Sequence, residues 1–181
     1  QLSVNPPAST DDSWDLCFRF GRPPDSRLIA RLIAPNRRVL VASPRYLAEH
    51  GRPKTPQDLR AHHCIGIRQG DQAYGVWRFA RTLSGGQAAE PPVSVKVRGN
   101  LTTNDGGIAV RWALDGHGIL LRAEWDVQEH LRSGQLVQLL EGYQSPDADI
   151  YAVYPERQRH SLRVKALLDF VAERLARSPR A

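Results

Sequence analysis

The sequence predicts an α/β fold, and three observations support that prediction. Short apolar, strand-like runs alternate with amphipathic helical segments along most of the 181 residues. Ser43-Pro44 and Ser161 are typical helix starts, because a capping hydroxyl precedes the first turn. The stretch GNLTTNDGGIAVRWALDGHGILL, from Gly99 to Leu121, predicts a strand, a polar turn, a helix, a glycine and a second strand in succession.

The predicted elements follow one another as short segments that end at glycine, proline or polar residues. Strands are expected over 1–4, 14–20, 28–34, 38–42, 64–68, 77–81, 94–98, 119–122, 136–140 and 150–154, with 77–81 and 94–98 pairing antiparallel. Helices are expected over 45–50, 106–114, 127–133 and 162–177, with one more helical turn after Thr55. In the last helix, apolar residues recur on one face.

The strands before Ser43 run almost consecutively, and so few helices would leave a sheet uncovered. The chain also contains no methionine, and it opens without the charged and apolar regions of a signal peptide. We therefore expect the sequence to be a piece of a longer protein.

Composition favours a globular protein and argues against several function classes. Hydrophobic residues make up 41% and charged residues 24%, an ordinary balance, and no apolar run approaches the roughly 18 residues that cross a membrane. Cys17 and Cys64 form no CxxC pair, which favours two thiols in a reducing cytoplasm. The net charge is +6, but the basic residues are scattered among acids and aromatic residues are only 7%, so this chain is not itself expected to bind nucleic acid.

The polar turn before helix 106–114 is the first candidate binding site. Thr102, Thr103 and Asn104 lie at the predicted helix start, where hydroxyl groups and backbone N–H groups hold anions such as carboxylates. This edge of an open α/β sheet commonly binds small ligands. The alternative is that these residues only cap the helix.

No arrangement of residues predicts catalysis or a metal site. His117 lies between two glycines after a helix, where capping explains it, and no serine or cysteine nucleophile is tied to it by spacing. His62 and His63 are adjacent, so their side chains diverge on a helix, and no further ligands accompany them. We expect no catalytic residue, no metal and no other cofactor.

Six segments, taken in order, resemble the effector-binding domain of LysR-type transcriptional regulators. The set rather than any one motif carries the resemblance, and it covers nearly the whole chain. The winged helix-turn-helix that reads DNA in that family is absent, as are the first strand and helix of its effector domain. The segments are DLCFRFGRPPDSRLIARLIAPNRRVLVASPRYLAEHG (15–51), PKTPQDLRAHHCI (53–65), WRF (77–79), VRGNLTTNDGGIAVRWALDGHGILLRAEWDV (97–127), LRSGQLVQLL (131–140) and IYAVYPERQRHSLRVKALLDFVAERL (150–175).

The resemblance implies a two-lobed fold like that of type 2 periplasmic solute-binding proteins, with the ligand in a cleft between the lobes. Lobe I would comprise residues 1–40 and 150–181, and lobe II residues 41–149. Two crossover strands, near 39–42 and 150–153, would form the hinge. An effector would act by binding one arrangement of the lobes better than another.

The implied cleft makes further residues candidates for effector binding. Arg122 would lie at the cleft edge and pair bidentately with an organic anion; the alternative is a surface arginine. Arg68 ends a strand that is expected to face the same cleft, and Ser43 caps a helix at the lobe boundary. From lobe I, the end of the second strand would contribute Arg19, Phe20 and Gly21.

The resemblance also implies partners for the whole protein. The ligand would be a small molecule, and the basic candidates favour an anionic organic acid. A homodimer is expected, with a tetramer for the full-length protein, in the cytoplasm and with no membrane contact. DNA would be bound only through a domain outside this chain. The alternatives are a solute-binding protein of a transport system, which predicts secretion, and an enzyme, which lacks its catalytic residues here.

Overall fold

A computed structural model describes residues 14–21, 28–68, 75–83, 87 and 91–177 of the chain. The predicted strand at 1–4 lies outside these residues. The chain divides into two compact units, unit 1 with residues 1–36 and 147–181 and unit 2 with residues 37–146. No helix in the described part of the chain combines the length and apolar character needed to cross a membrane.

Strands and short helices alternate along the described residues. The helices are α1 (Pro44–His50), α2 (Gly106–Leu114), α3 (Glu124–Arg132) and α4 (Leu162–Arg177), with 3₁₀ turns at Pro56–Ala61 and Glu156–Gln158. The strands are β1 (Cys17–Phe20), β2 (Leu28–Ala34), β3 (Arg38–Ala42), β4 (Gly66–Ile67), β5 (Val76–Arg81), β6 (Val93–Lys96), β7 (Thr102–Thr103), β8 (Leu120–Ala123), β9 (Val137–Leu139), β10 (Tyr143–Gln144) and β11 (Ile150–Pro155).

Unit 1 is an antiparallel three-stranded sheet with a helix packed against it. Strand β11 lies in the centre, between β1 and β2, and α4 packs against β2. The core is small, with Ala152 of β11 against Val164 and Leu168 of α4. The helix forms where sequence periodicity predicts it, and the Ser161 hydroxyl accepts a hydrogen bond from the Val164 amide at 3.5 Å.

Unit 2 combines antiparallel and parallel strands around a larger core. Strand β3 lies between β8 and β9, β5 lies between β6 and β10, and β4 pairs with β7 in parallel. Apolar residues alternate or run continuously in these strands, so both faces of β3 are buried from Val39 to Ala42. Helix α2 covers one side, where it buries Ala109, Val110 and Ala113.

Most of the predicted elements are present, and several have the predicted bounds. Strands β2 and β3 and helices α2 and α4 match the prediction at both ends, and β5 and β6 pair antiparallel as expected. Helix α3 begins three residues earlier than predicted, at Glu124, because Glu124 and Asp126 supply the acidic first turn that a helix start favours. The short strand that the sequence predicts just before the polar turn corresponds to β7, whereas no sequence pattern predicts the two-residue strand β10.

The unit boundaries lie a few residues from the expected lobe boundaries. The expectation divides β3 by ending lobe I at residue 40, whereas all of β3 belongs to unit 2. The reason is its pairing, since β3 is hydrogen-bonded to β8 and β9, both of which lie in unit 2. At the other crossing point, residues 147–149 belong to unit 1 together with β11.

The two cysteines are free thiols in different surroundings. Cys64 is buried in unit 2, and burial raises the pKa of its thiol to about 12. Cys17 is half-buried on β1, and burial raises its pKa despite the opposing effect of Arg19.

Candidate functional site

The parallel pair β4–β7 gathers part of the predicted site in unit 2. Gly66 pairs with Thr102 and Ile67 with Thr103, and the pairing continues where the Arg68 amide donates to the Thr103 carbonyl at 2.8 Å. The carboxyl ends of the two strands therefore present Arg68, Thr103 and Asn104 side by side. Arg68 and Asn104 are exposed and Thr103 is half-buried, so this edge is open to a ligand.

Helix α2 begins at Gly106, as predicted, but Thr102, Thr103 and Asn104 do not cap it. The cap is Asp105, whose carboxylate accepts a hydrogen bond from the Ile108 amide at 3.0 Å. The Thr103 hydroxyl accepts from the Asp105 amide at 3.0 Å and so holds the cap in place. An aspartate at this position already supplies the negative charge that a helix N-terminus favours. Attraction of a second anion must come from elsewhere.

Arg122 supplies a positive charge at the same place. It lies on β8, and its guanidinium packs against the first residue of α2: a Cβ added to Gly106 would lie 1.8 Å from Nη2. Its side chain is only 15% exposed, and Nη2 donates to Asp126 at 2.7 Å. The buried Nε has no hydrogen-bond partner among the described residues. Because a buried donor without a partner is costly, Arg122 is poised to bind another acceptor.

We use the name anion site for Arg68, Thr102, Thr103, Asn104 and Arg122. These five predicted residues come from three segments of the chain that meet at the start of α2.

Ser43 is not part of this group. It caps α1, where its hydroxyl accepts from the Tyr46 amide at 3.3 Å, and it is 3% exposed. A Cβ on Gly116, beyond the last turn of α2, would lie 3.6 Å from the Ser43 hydroxyl. Ser43 therefore lies near the end of α2 that is opposite to Arg122.

The remaining predicted residues lie in unit 1, at the end of β1. Arg19 pairs with Tyr151 across β1 and β11, and its buried Nε has no hydrogen-bond partner among the described residues. Phe20 is 45% exposed. Gly21 has a φ of +75° and donates its amide to the Asp149 carbonyl at 2.8 Å. Arg19 is thus a second arginine with an unused buried donor.

A small recess in unit 2 is too small for an organic ligand. It is lined by residues that include Leu40, Phe79, Leu139 and Ser145, and its volume is about 10 Å³. This is no more than the space of one water molecule. None of the residues that line it belongs to the anion site.

The residues in the described part of the chain form no cluster of three or more groups that could hold a metal ion. His117 donates its amide to the Trp112 carbonyl, a hydrogen bond that ends α2. His62 and His63 contact Tyr46 of α1.

Sequence reasoning misses Asp105, Gly106 and Asp126. The i,i+4 spacing of Arg122 and Asp126 at the predicted strand–helix junction is a usable signal. The position of Asp105 directly before the helix is another. The close approach of Arg122 to Gly106 joins distant parts of the sequence, so no local pattern indicates it.

Comparison of the sequence with known protein families identifies the kind of domain to which these residues belong. Residues 8–176 match the LysR substrate binding domain. The chain belongs to this family. A LysR substrate-binding domain is an effector-binding regulatory domain with the two-lobed periplasmic-binding-protein-like fold, as the sequence resemblance implied.

Curated relatives of this LysR domain are named as transcriptional regulators. It is 41% identical over 166 residues to the HTH-type transcriptional regulator DmlR of Escherichia coli (strain K12), with 92% of this chain and 52% of that protein aligned. It is 39% identical over 161 residues to the HTH-type transcriptional activator TtdR of the same strain, with 89% and 49% aligned. The chain therefore spans about half the length of these relatives.

Solved structures of LysR-type regulators have the same fold. The full-length Vibrio cholerae virulence activator AphB aligns with a TM-score of 0.73 and 30% identity, over 93% of this chain and 55% of that chain. The regulatory domain of CrgA from Neisseria meningitidis aligns with a TM-score of 0.70 and 30% identity, over 89% and 75%. The relatives belong to a non-enzymatic class, and they do not favour a role in transport.

Proposed function

We propose that this domain controls a LysR-type transcriptional regulator by binding a small organic anion, with the anion site as its contribution from unit 2. The observation that carries the proposal is Arg122. Its guanidinium is largely buried at the start of α2, and its buried Nε has no hydrogen-bond partner among the described residues.

A carboxylate fits this arrangement better than a neutral ligand does. Arginine donates two parallel hydrogen bonds to a carboxylate, and such charge-assisted bonds are stronger than neutral ones. Asp126 already holds Nη2 at 2.7 Å, so the effector would share the guanidinium with Asp126. Thr103 and Asn104 would add polar contacts, and Arg68 would add charge at the exposed edge.

Unit 1 would contribute the end of β1. Arg19 has an unused buried donor, Phe20 is a large exposed aromatic residue, and Gly21 leaves space above the backbone, since a Cβ there would meet nothing within 4 Å. We include these three residues in the proposed effector site. Ser43 remains a weaker candidate, because its hydroxyl is buried and already bonded to the Tyr46 amide.

The remaining activities belong to the whole protein. The name "HTH-type transcriptional regulator" of the relatives supports a DNA-binding domain outside this chain, through which effector binding would control transcription. We also propose that the protein acts in the cytoplasm as a homodimer, or as a tetramer at full length.

The proposal is tested by a thermal-shift screen of the chain against succinate, benzoate and phosphate, followed by calorimetry of the compounds that stabilise it. A ligand that binds only the native state raises the unfolding temperature. Arg122→Gln should weaken a binding carboxylate by about 1.5–3 kcal/mol, because it removes a charge-assisted hydrogen bond. Thr103→Ala should cost less.

The matched control is Arg111→Gln, which removes an exposed positive charge from the last turn of α2. It should leave carboxylate affinity unchanged while altering the net charge by the same amount. If Arg122→Gln and Arg111→Gln have equal effects, the anion does not bind at Arg122. If no acid stabilises the chain, the anionic effector is rejected and a neutral ligand becomes the better proposal.

A further inference from the structure

Three histidines surround one buried tyrosine in unit 2, away from the anion site. Tyr46, on α1, is 1% exposed. The His50 ring stacks on it with the ring centroids 4.4 Å apart and an interplanar angle of 9°. The His62 ring lies 5.9 Å from it, and the His50 and His63 rings meet edge to face at 5.8 Å. We call His50, His62 and His63 the histidine cluster.

The Tyr46 hydroxyl joins α1 to the segment that carries two of these histidines. It accepts a hydrogen bond from the His63 amide at 2.9 Å and lies 3.1 Å from His62 Nδ1. Burial raises the pKa of Tyr46 above its usual range, so the hydroxyl keeps its proton at physiological pH. Neutral His62 can accept that proton at Nδ1, which gives the buried hydroxyl both a donor and an acceptor as partners.

Protonation of His62 removes this arrangement. Both ring nitrogens of an imidazolium carry hydrogens, so His62 can no longer accept from the Tyr46 hydroxyl. The hydroxyl proton is then left without its acceptor inside the core, which is costly.

The sign of the pH dependence follows from His62. Burial lowers the pKa of His62, the neighbouring His50 and His63 lower it further, and Asp58 opposes the shift. The folded chain therefore binds fewer protons here than the unfolded chain does. The stability from this group is present above the unfolded pKa of about 6.5 and is lost as the pH falls through the lower folded pKa.

No other group near the cluster, among the residues that the structure describes, offsets this loss fully. Asp58 is exposed and bonded to backbone amides, and Cys64 is a neutral buried thiol. Arg45 and Glu49 pair with each other on the exposed side of α1. The other charged groups on the segments packed here include Arg60 of the 3₁₀ turn, Lys96 of β6 and Arg98, which forms a β-bridge with His63; all three are cations.

We propose that the histidine cluster is a pH-sensitive switch, which releases α1 from the 62–65 segment when His62 is protonated at mildly acidic pH. Histidine is the side chain whose ordinary titration falls in this range. The switch would give the domain a response to protons that does not depend on an effector or on the proposed anion site.

Hydrogen–deuterium exchange of the ligand-free chain at pH 7.5 and 5.5 tests the proposal, with rates corrected for intrinsic exchange. The readout is the protection of peptides covering 43–51 and 61–65, relative to β8 of the same unit. Loss of one net hydrogen bond, here between the Tyr46 hydroxyl and His62, changes an equilibrium about fivefold, so protection should fall by up to about that factor at pH 5.5.

The fall should disappear in His62→Gln, whose amide oxygen can still accept from the Tyr46 hydroxyl but does not titrate. It should persist in His160→Gln, which replaces an exposed histidine of unit 1. An equal fall in His62→Gln, or no fall in the unmodified chain, overturns the proposal. Tyr46→Phe provides a second variant, because it removes the hydroxyl and keeps the ring. Protection of 61–65 should then be low at both pH values; an undiminished pH-dependent fall there also overturns the proposal.

Discussion

Among the residues that the structure describes, the two units bury their apolar side chains to different extents. Unit 2 contains two buried clusters, one around β3, β5 and Tyr46 and one between β3, α2 and α3. In the described part of unit 1 there is one small cluster, and helix α4 leaves Leu162 81% and Phe170 61% exposed. Hydrophobic stabilisation scales with the apolar area removed from water, so unit 2 should be the more stable of the two.

The difference also affects the candidate binding residues. In unit 2 the guanidinium of Arg122 is fixed between Gly106 and Asp126, above a well-packed helix. In unit 1, Arg19 and Phe20 lie on a strand whose described surroundings contain few buried residues. Within unit 2, the Arg122 guanidinium is therefore held from two sides.

The largest expected effect comes from the core of unit 2. Leu120→Ala truncates a fully buried residue of β8 and should lower the free energy of unfolding by about 2–5 kcal/mol, because it leaves a cavity. Leu167→Ala, at a 45% exposed position of α4, should cost less than about 1 kcal/mol. Urea unfolding followed by circular dichroism measures both. Equal losses would show that the two units do not differ as described.

The next largest effects are expected from alanine substitutions at two glycines, Gly106 of unit 2 and Gly21 of unit 1. Gly106→Ala would push the Arg122 guanidinium aside, so we expect carboxylate affinity to fall about tenfold, which is less than the loss of the whole charge-assisted bond. The free energy of unfolding should change less than the affinity does, because the atoms that must shift belong to the end of one side chain and not to the backbone. Gly21→Ala meets no atom but keeps a φ of +75°, so it should destabilise unit 1 by about 1–2 kcal/mol.

Calorimetry and urea unfolding distinguish these two outcomes. Gly142→Ala is the control, since a Cβ there would meet nothing within 4 Å. Unchanged affinity in Gly106→Ala would mean that the position of Arg122 does not matter for the ligand.

Much of the fold can be predicted from sequence because its elements carry local signals. Helices α2 and α4 have helical periodicity, and β2 and β3 are apolar runs bounded by proline or polar residues. The two-residue strand β10 has no period to detect, and its existence depends on its partner β5. A short strand is predicted near β7, but its parallel pairing with β4 is not. Local sequence patterns therefore predict the elements that bury an apolar face. They do not predict strand pairings that depend on a distant part of the chain.

The site is less predictable for a related reason. The sequence indicates a polar turn before α2 and an arginine after a strand, and the structure brings both to one place. It cannot indicate that Asp105 occupies the helix start, or that Arg122 already pairs with Asp126. The sequence groups Ser43 with the polar turn before α2 because each lies at a predicted helix start. In the structure, Ser43 lies near the C-terminal end of α2, whereas the polar turn and Arg122 lie near its N-terminal end.

Two serines that cap helices, one in each unit, allow a further comparison with smaller expected losses of stability. Ser43→Ala should destabilise unit 2 by about 1–2 kcal/mol, because the Ser43 hydroxyl is buried and accepts from the Tyr46 amide at 3.3 Å. Ser161→Ala should cost unit 1 less, about 0.5–1 kcal/mol, since that cap is half-buried and its bond is longer, at 3.5 Å. Neither should alter carboxylate affinity. A loss in Ser43→Ala as large as that in Arg122→Gln would place Ser43 among the ligand contacts.

The smallest effect concerns how each unit holds its 3₁₀ turn. The Asp58 carboxylate accepts from the Lys54 and Thr55 amides at 2.8 and 2.9 Å, and these bonds lower its pKa below the usual range. The turn at Glu156–Gln158 has no side-chain cap. The stability that Asp58 adds is present above its unfolded pKa of about 3.9 and is lost as the pH falls through the lower folded value.

A carboxyl ¹³C titration by NMR measures this directly. The midpoint of Asp58 should lie below its midpoint in the urea-unfolded chain, and Asp58→Ala should expose the Lys54 and Thr55 amides to faster exchange. A midpoint at or above the unfolded value would mean that the carboxylate does not fix the turn. The order of this turn would then depend more on Pro56 and Leu59, which are both buried, and so on the core of unit 2.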